Sequence, residues 1–145
     1  MIKYTKGDIL QSSAEAIVNC VNCQGHMGAG LAAQFREKYS EMNKKYQIAC
    51  YNNEVRPGKH HYWQNSKTKQ WVVNFVTKDL VKNDSEYTYI TMGLQSLLEW
   101  LEDNKIKSIA LPKLGAGLGN LDWEIVDKMI CKAFKNYDGE CIIYK

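Results

Sequence analysis

The stretch Ser108-Ile109-Ala110-Leu111-Pro112-Lys113-Leu114-Gly115-Ala116-Gly117-Leu118-Gly119 decides how the rest of the chain is read. Ser108 to Leu111 is a compact buried strand, Pro112 ends it, and alternate glycines from Gly115 to Gly119 make a turn open to close approach. Asp122 then stands as a helix N-cap, with Leu121 and Val126 as a hydrophobic staple around it. Ile125, Met129, Ile130 and Phe134 form the apolar face of the helix that follows. The same strand, glycine turn and helix occur earlier. Ala16 to Val21 is the strand, Gly25 to Gly30 the turn, and Leu31, Ala32, Phe35 and Tyr39 share one helical face.

Outward from these two units, Met1 to Thr5 alternates as an edge strand and Glu41 to Tyr51 continues as a second helix. His61-Tyr62-Trp63 and Gln70 to Val76 read as paired strands around a polar loop, Asn65 to Lys69. Lys78 to Glu86 is a polar loop. Thr88 to Asn104 repeats Ile90, Leu94, Leu97, Leu98 and Leu101 at helical spacing, and Cys141 to Tyr144 is a final strand. Strands alternating with helices call for an α/β fold, a mixed or parallel sheet with helices on both faces. Ligands of such sheets sit beyond the carboxyl ends of the strands, where both glycine turns fall.

Composition narrows the class. The 145 residues, 45% hydrophobic and 24% charged, suffice for one domain with an apolar core, residues 1–145. Two prolines and ten glycines exclude collagenous or Pro-rich disordered chains. The longest apolar runs fall far short of the ~20 residues that cross a bilayer, and Met1 leads directly into a strand rather than a signal peptide. A cytoplasmic domain is expected. The net charge of +3 is spread over dispersed lysines, with Arg36 and Arg56 the only arginines, so no basic arm for nucleic acid stands out.

Five cysteines, an odd number without a secretory signal, read as reduced thiols. Cys20-Val21-Asn22-Cys23 is formally C-x-x-C, yet neither Cys50 nor His60-His61 supplies zinc ligands at the needed spacing. A redox pair would open a helix, whereas this one ends a strand. No metal and no cofactor are expected.

Glycines at a strand-to-helix junction let a ligand approach the backbone, and the free N–H groups of a helix start favour a phosphate. Two such turns, Met27-Gly28-Ala29-Gly30 and Gly115 to Gly119, suggest a diphosphate held between them. Neither is a P-loop or a three-glycine dinucleotide fingerprint. Gly7-Asp8-Ile9 offers a carboxylate for an adenine amino group or a ribose hydroxyl, or else a turn or helix cap.

Taken in order, Gly7-Asp8-Ile9, Ala16 to Asn22, Gly28-Ala29-Gly30-Leu31-Ala32 and Leu111 to Leu118 resemble a macrodomain, the ADP-ribose-binding fold, over essentially the whole length. Met27 to Gly30, Asn74-Phe75-Val76-Thr77-Lys78 and Gly117 to Trp123 look most like one branch. It contains the terminal ADP-ribose protein glycohydrolase and the DNA ADP-ribosyl glycohydrolase antitoxins. The resemblance implies a three-layer α/β/α sandwich with a mixed central sheet. It also implies that Asp8 and the Ile9 backbone hold adenine, with Tyr144 packing on it. Asn22 and the loop Met27, Gly28, Ala29, Gly30, Leu31 would follow the distal ribose and a phosphate. Leu114, Gly115, Ala116, Gly117, Leu118 and Gly119 would wrap the diphosphate. Thr77 and Lys78 match the branch's catalytic Thr-Lys, placing the Lys78 amine at the anomeric carbon of the distal ribose. That amine would attack an opened aldehyde as a Schiff base, which needs it partly desolvated or near another cation, or act by charge on the leaving group.

One departure stands out. Where the protein-directed glycohydrolase carries an aspartate, this chain has Gly119, as the DNA-directed members tend to; those antitoxins often have a further C-terminal region. Gly119→Asp is therefore expected to aid release from glutamate, provided the glycine does not need positive φ. The expected function is an ADP-ribosyl glycohydrolase acting on ADP-ribosylated protein or DNA, with O-acyl-ADP-ribose deacylation as a side activity. The alternative is a non-catalytic ADP-ribose reader. A monomer without membrane contact is expected.

Overall fold

The computed structural model describes residues 1–145. Six strands form one sheet: β1 (Ile2–Thr5), β2 (Ala16–Val21), β3 (His61–Gln64), β4 (Trp71–Val76), β5 (Ser108–Leu111) and β6 (Glu140–Tyr144). Their order across the sheet is β1-β6-β5-β2-β4-β3. All neighbours pair in parallel except the β3–β4 hairpin, so the sheet is mixed. Four helices cover it: α1 (Gly30–Lys38), α2 (Ser40–Tyr51), α3 (Tyr87–Asp103) and α4 (Trp123–Ala133). This is the three-layer sandwich expected from the sequence.

β2 lies at the centre because both of its faces are apolar, as a buried parallel strand requires. Ala16 and Val18 join the core under α3 and α4 with Leu97, Val126 and Ile130. Ile17 and Val21 join the core under α1 and α2 with Phe35, Met42 and Tyr46. One polar pair interrupts the second core: Asn19 Nδ2 donates to Asn74 Oδ1 at 3.2 Å, and both side chains are fully buried. A one-turn 3-10 helix, Ile9–Gln11, was not expected; three residues are too short to show a period.

His60 fixes β4 just before the residues of interest. Its Nδ1 accepts the Val76 N–H at 3.0 Å, its Nε2 donates to the Gly93 carbonyl at 2.9 Å, and its ring stacks on Phe75. This satisfies the neutral ring, and burial pushes its pKa down to about 4. The unfolded chain therefore takes up the proton first. Stability from this group is complete above the ordinary histidine value of about 6.5 and is lost as pH falls from there towards 4, on the order of 3 kcal/mol in all. Denaturant midpoints are expected to fall between pH 7 and pH 4.5; a constant midpoint would contradict this account of His60.

Candidate active site

Because β1, β2, β4, β5 and β6 run in one direction, the chain leaves all of them at the same edge of the sheet. The segments after β2, β4 and β5 enclose a cleft of about 480 Å³ there.

After β2, the Asn22 side chain organises the backbone that follows. Its Oδ1 accepts the N–H groups of Gln24 and His26 at 2.9 and 3.3 Å, and its Nδ2 donates to the His26 carbonyl at 2.7 Å. The Tyr46 hydroxyl donates to the Asn22 carbonyl at 2.6 Å, tying the loop to the core. Asn22 lines the cleft, but its side-chain oxygen is spent on the loop, which leaves one amide hydrogen for a ligand. Gly30, with φ +58°, then opens α1, and no side chain caps that helix. The first residues of this helix line the cleft together with Gly28 and Ala29, and the free N–H groups of a helix start favour an anion. Met27 is buried, its carbonyl accepts from Arg36 Nη1 at 2.8 Å, and it does not line the cleft.

After β5, Gly115 (φ +69°), Gly117, Leu118 and Gly119 form the opposite wall. Leu114 is fully buried in the core, and neither it nor Ala116 lines the cleft. Asp122 accepts the Glu124 N–H at 2.9 Å and so caps α4, as the sequence indicated. An anion at this wall meets the turn's own N–H groups rather than the start of α4.

The segment after β4 carries Thr77 and Lys78, and the N–H groups of both point at the Val21 carbonyl, at 3.0 and 3.4 Å. Thr77 is buried, Lys78 is half-buried, and both line the cleft. The Lys78 Nζ donates to the Val81 carbonyl at 3.4 Å. Lys113 and His26 share the lining, which contains no Asp or Glu. Lys113 was not singled out from the sequence. The signal was there: like Lys78 it stands two residues past a strand.

Asp8, Ile9 and Tyr144 lie outside the enclosed part, further along the same edge at β1 and β6. Asp8 uses one carboxylate oxygen to cap the 3-10 helix, accepting the Leu10 N–H at 2.9 Å. The cap reading of Asp8 is thus borne out, and its carboxylate is exposed. Ile9 is 3% exposed, and Tyr144 is half-buried against the same core.

All five cysteines are unpaired, and burial pushes the thiols of Cys20 and Cys23 up to about 11 and about 12. No three His, Cys, Asp or Glu side chains gather as a metal site. No helix is long and apolar enough to cross a membrane.

Gly119 corrects the sequence-based expectation. Its φ is not positive; a Cβ there would meet the Ser85 side-chain oxygen and the Gly115 carbonyl oxygen, the latter at 2.5 Å. Packing, not backbone conformation, keeps this position a glycine.

Comparison with known proteins identifies the family. Residues 18–130 match the model of the Macro domain family. The chain is 40% identical, over 99% of its length, to the DNA ADP-ribosyl glycohydrolase of Mycobacterium tuberculosis, but spans only 42% of that protein. The macrodomain of Mycobacterium tuberculosis DarG superposes with a TM-score of 0.97 at 39% identity, covering 99% of this chain and 97% of that one. Thermosipho africanus DarTG in complex with ADP-ribose superposes with a TM-score of 0.94 at 30% identity, covering 99% of this chain and 41% of that one. The chain belongs to the macrodomain family.

Proposed function

We propose that this chain binds ADP-ribose along the carboxyl edge of its sheet and hydrolyses its bond to a modified macromolecule, with a DNA base as the first substrate class. One observation carries the reading: the order of features along the edge follows the order of the ligand's parts. Asp8, Ile9 and Tyr144 at β1 and β6 suit the adenine. The two glycine walls after β5 and β2 suit the diphosphate, and Thr77 with Lys78 after β4 suit the distal ribose. Four strand spacings separate β1 from β4, about 19 Å, room for an extended dinucleotide-sized ligand. The similarity to DNA ADP-ribosyl glycohydrolases supports the choice of a DNA-linked substrate.

In this reading Lys78 is the catalytic residue. Water adds its hydroxyl to the anomeric carbon as the bond to the base breaks, and the base leaves with a proton. With no carboxylate lining the cleft, Lys78 and its neighbour Lys113 are the charged groups available to the departing base and the diphosphate, with the His26 ring beside them. An uncapped α1 and unoccupied turn N–H groups let the protein neutralise the diphosphate without a metal.

The test is a side-by-side incubation with DNA-base-linked and glutamate-linked ADP-ribose, following release from each. Faster release from DNA is expected. Release from glutamate alone would move the substrate to proteins, and binding of ADP-ribose with release from neither would make the chain a reader.

A further inference from the structure

Lys78 stands in a loop that leaves the body of the protein. Its Nζ donates to the Val81 carbonyl at 3.4 Å, a long bond that holds the amine only if Val81 itself is held. The Val81 N–H donates to Gln24 Oε1 at 2.7 Å. Apart from the Lys78 bond itself, this is the one hydrogen bond between residues 80–83 and the rest of the protein; the Asn83 N–H turns back to the Leu80 carbonyl within the loop. The Gln24 backbone N–H in turn donates to Asn22 Oδ1, and Asn22 is tied to Tyr46, which is fully buried in α2. A continuous set of hydrogen bonds thus runs from the core beneath α2 to the amine of Lys78.

We infer that Gln24 is a positioning residue for Lys78, holding the Val81 peptide so that its carbonyl fixes the Lys78 amine at the reacting end of the cleft. The inference rests on the reading of Lys78 as catalytic. Gln24 is exposed and does not line the cleft, so it contributes nothing to the ADP-ribose surface itself. Val81 is 45% exposed. Without Gln24 its peptide exchanges the bond for water, and the carbonyl no longer has a fixed place. A lysine stem has many rotamers, and Lys78 then spreads over them. The two glycine walls do not depend on this bond, so ground-state binding is unaffected while the chemical step slows.

Gln24→Met keeps the length of the side chain and removes the acceptor; Gln24→Glu keeps an acceptor. The probe is a single-stranded oligonucleotide carrying base-linked ADP-ribose. Gln24→Met is expected to lower kcat about tenfold, with KM, ADP-ribose affinity and melting midpoint unchanged, and Gln24→Glu to recover most of the loss. Gln24→Met at the parental kcat, or an equal loss in Met and Glu variants, overturns the inference. Lys78→Ala measured alongside separates the two layers. If it releases ADP-ribose at the parental rate, the reading of Lys78 falls and this inference with it. An inactive Lys78→Ala beside an unaltered Gln24→Met overturns the inference alone.

Discussion

Lys78→Ala is expected to slow release of ADP-ribose from DNA at least about a hundredfold, the usual weight of a positioned acid or charge. ADP-ribose affinity should stay within about tenfold, or ~1.4 kcal/mol. The two expectations separate because the binding surface is mostly backbone: the start of α1 with Gly28 to Gly30 on one side, Gly115 to Gly119 on the other. Lys78 meets this surface only at the end over β4. Lys113→Ala is the matching control. Its cation lies on the diphosphate wall, so it should weaken affinity more than turnover. Single-turnover release and calorimetry on the same preparations decide this. A Lys78→Ala variant that hydrolyses normally would remove the lysine from the mechanism.

Gly119→Asp is expected to damage the protein rather than improve it. The sequence alone suggested the opposite, a carboxylate restored beside the amine. In the structure the space is already filled by Ser85 and by the Gly115 carbonyl, and the Ser85 N–H donates to the Gly119 carbonyl at 3.0 Å. A side chain here must push apart the loop carrying Lys78 and the diphosphate wall. Overpacking of this kind costs about 2 kcal/mol, a fall in melting midpoint of roughly 5–10 °C. The added negative charge also opposes the diphosphate. Ser85→Gly in the same chain relieves only the side-chain contact, since the Gly115 carbonyl is backbone, so the double variant should recover the midpoint only in part. A Gly119→Asp protein with the parental midpoint and faster release would show that the missing aspartate, not packing, sets the rate.

The parts of this protein that were legible in its sequence are those decided by short-range pattern. Ala16 to Val21 and Ser108 to Leu111 were found at their true limits because a strand buried on both faces reads as a compact, mostly apolar run. The Asp122 cap followed from residue type and spacing. The glycine turns announced themselves because few other sequences leave a backbone so bare. What stayed hidden depends on neighbours far along the chain. Gln24 and Val81 lie 57 positions apart and share no motif. The buried Asn19–Asn74 pair reads locally as two polar interruptions of apolar strands. Part of the constraint on Gly119 comes from Ser85, which enters only when the loop after β4 folds back. Asn22 was legible as a residue of interest, but its work in closing the 22–26 loop was not.

The central claim is that the two glycine walls, the β1–β6 end and Lys78 form one continuous ADP-ribose site. Calorimetric titration of the intact chain with ADP-ribose, and then with ADP, measures this directly. One site per chain is predicted, at least about tenfold tighter for ADP-ribose than for ADP because only the longer ligand reaches the β4 end. No affinity for ADP-ribose, or equal affinity for the two, would contradict the account.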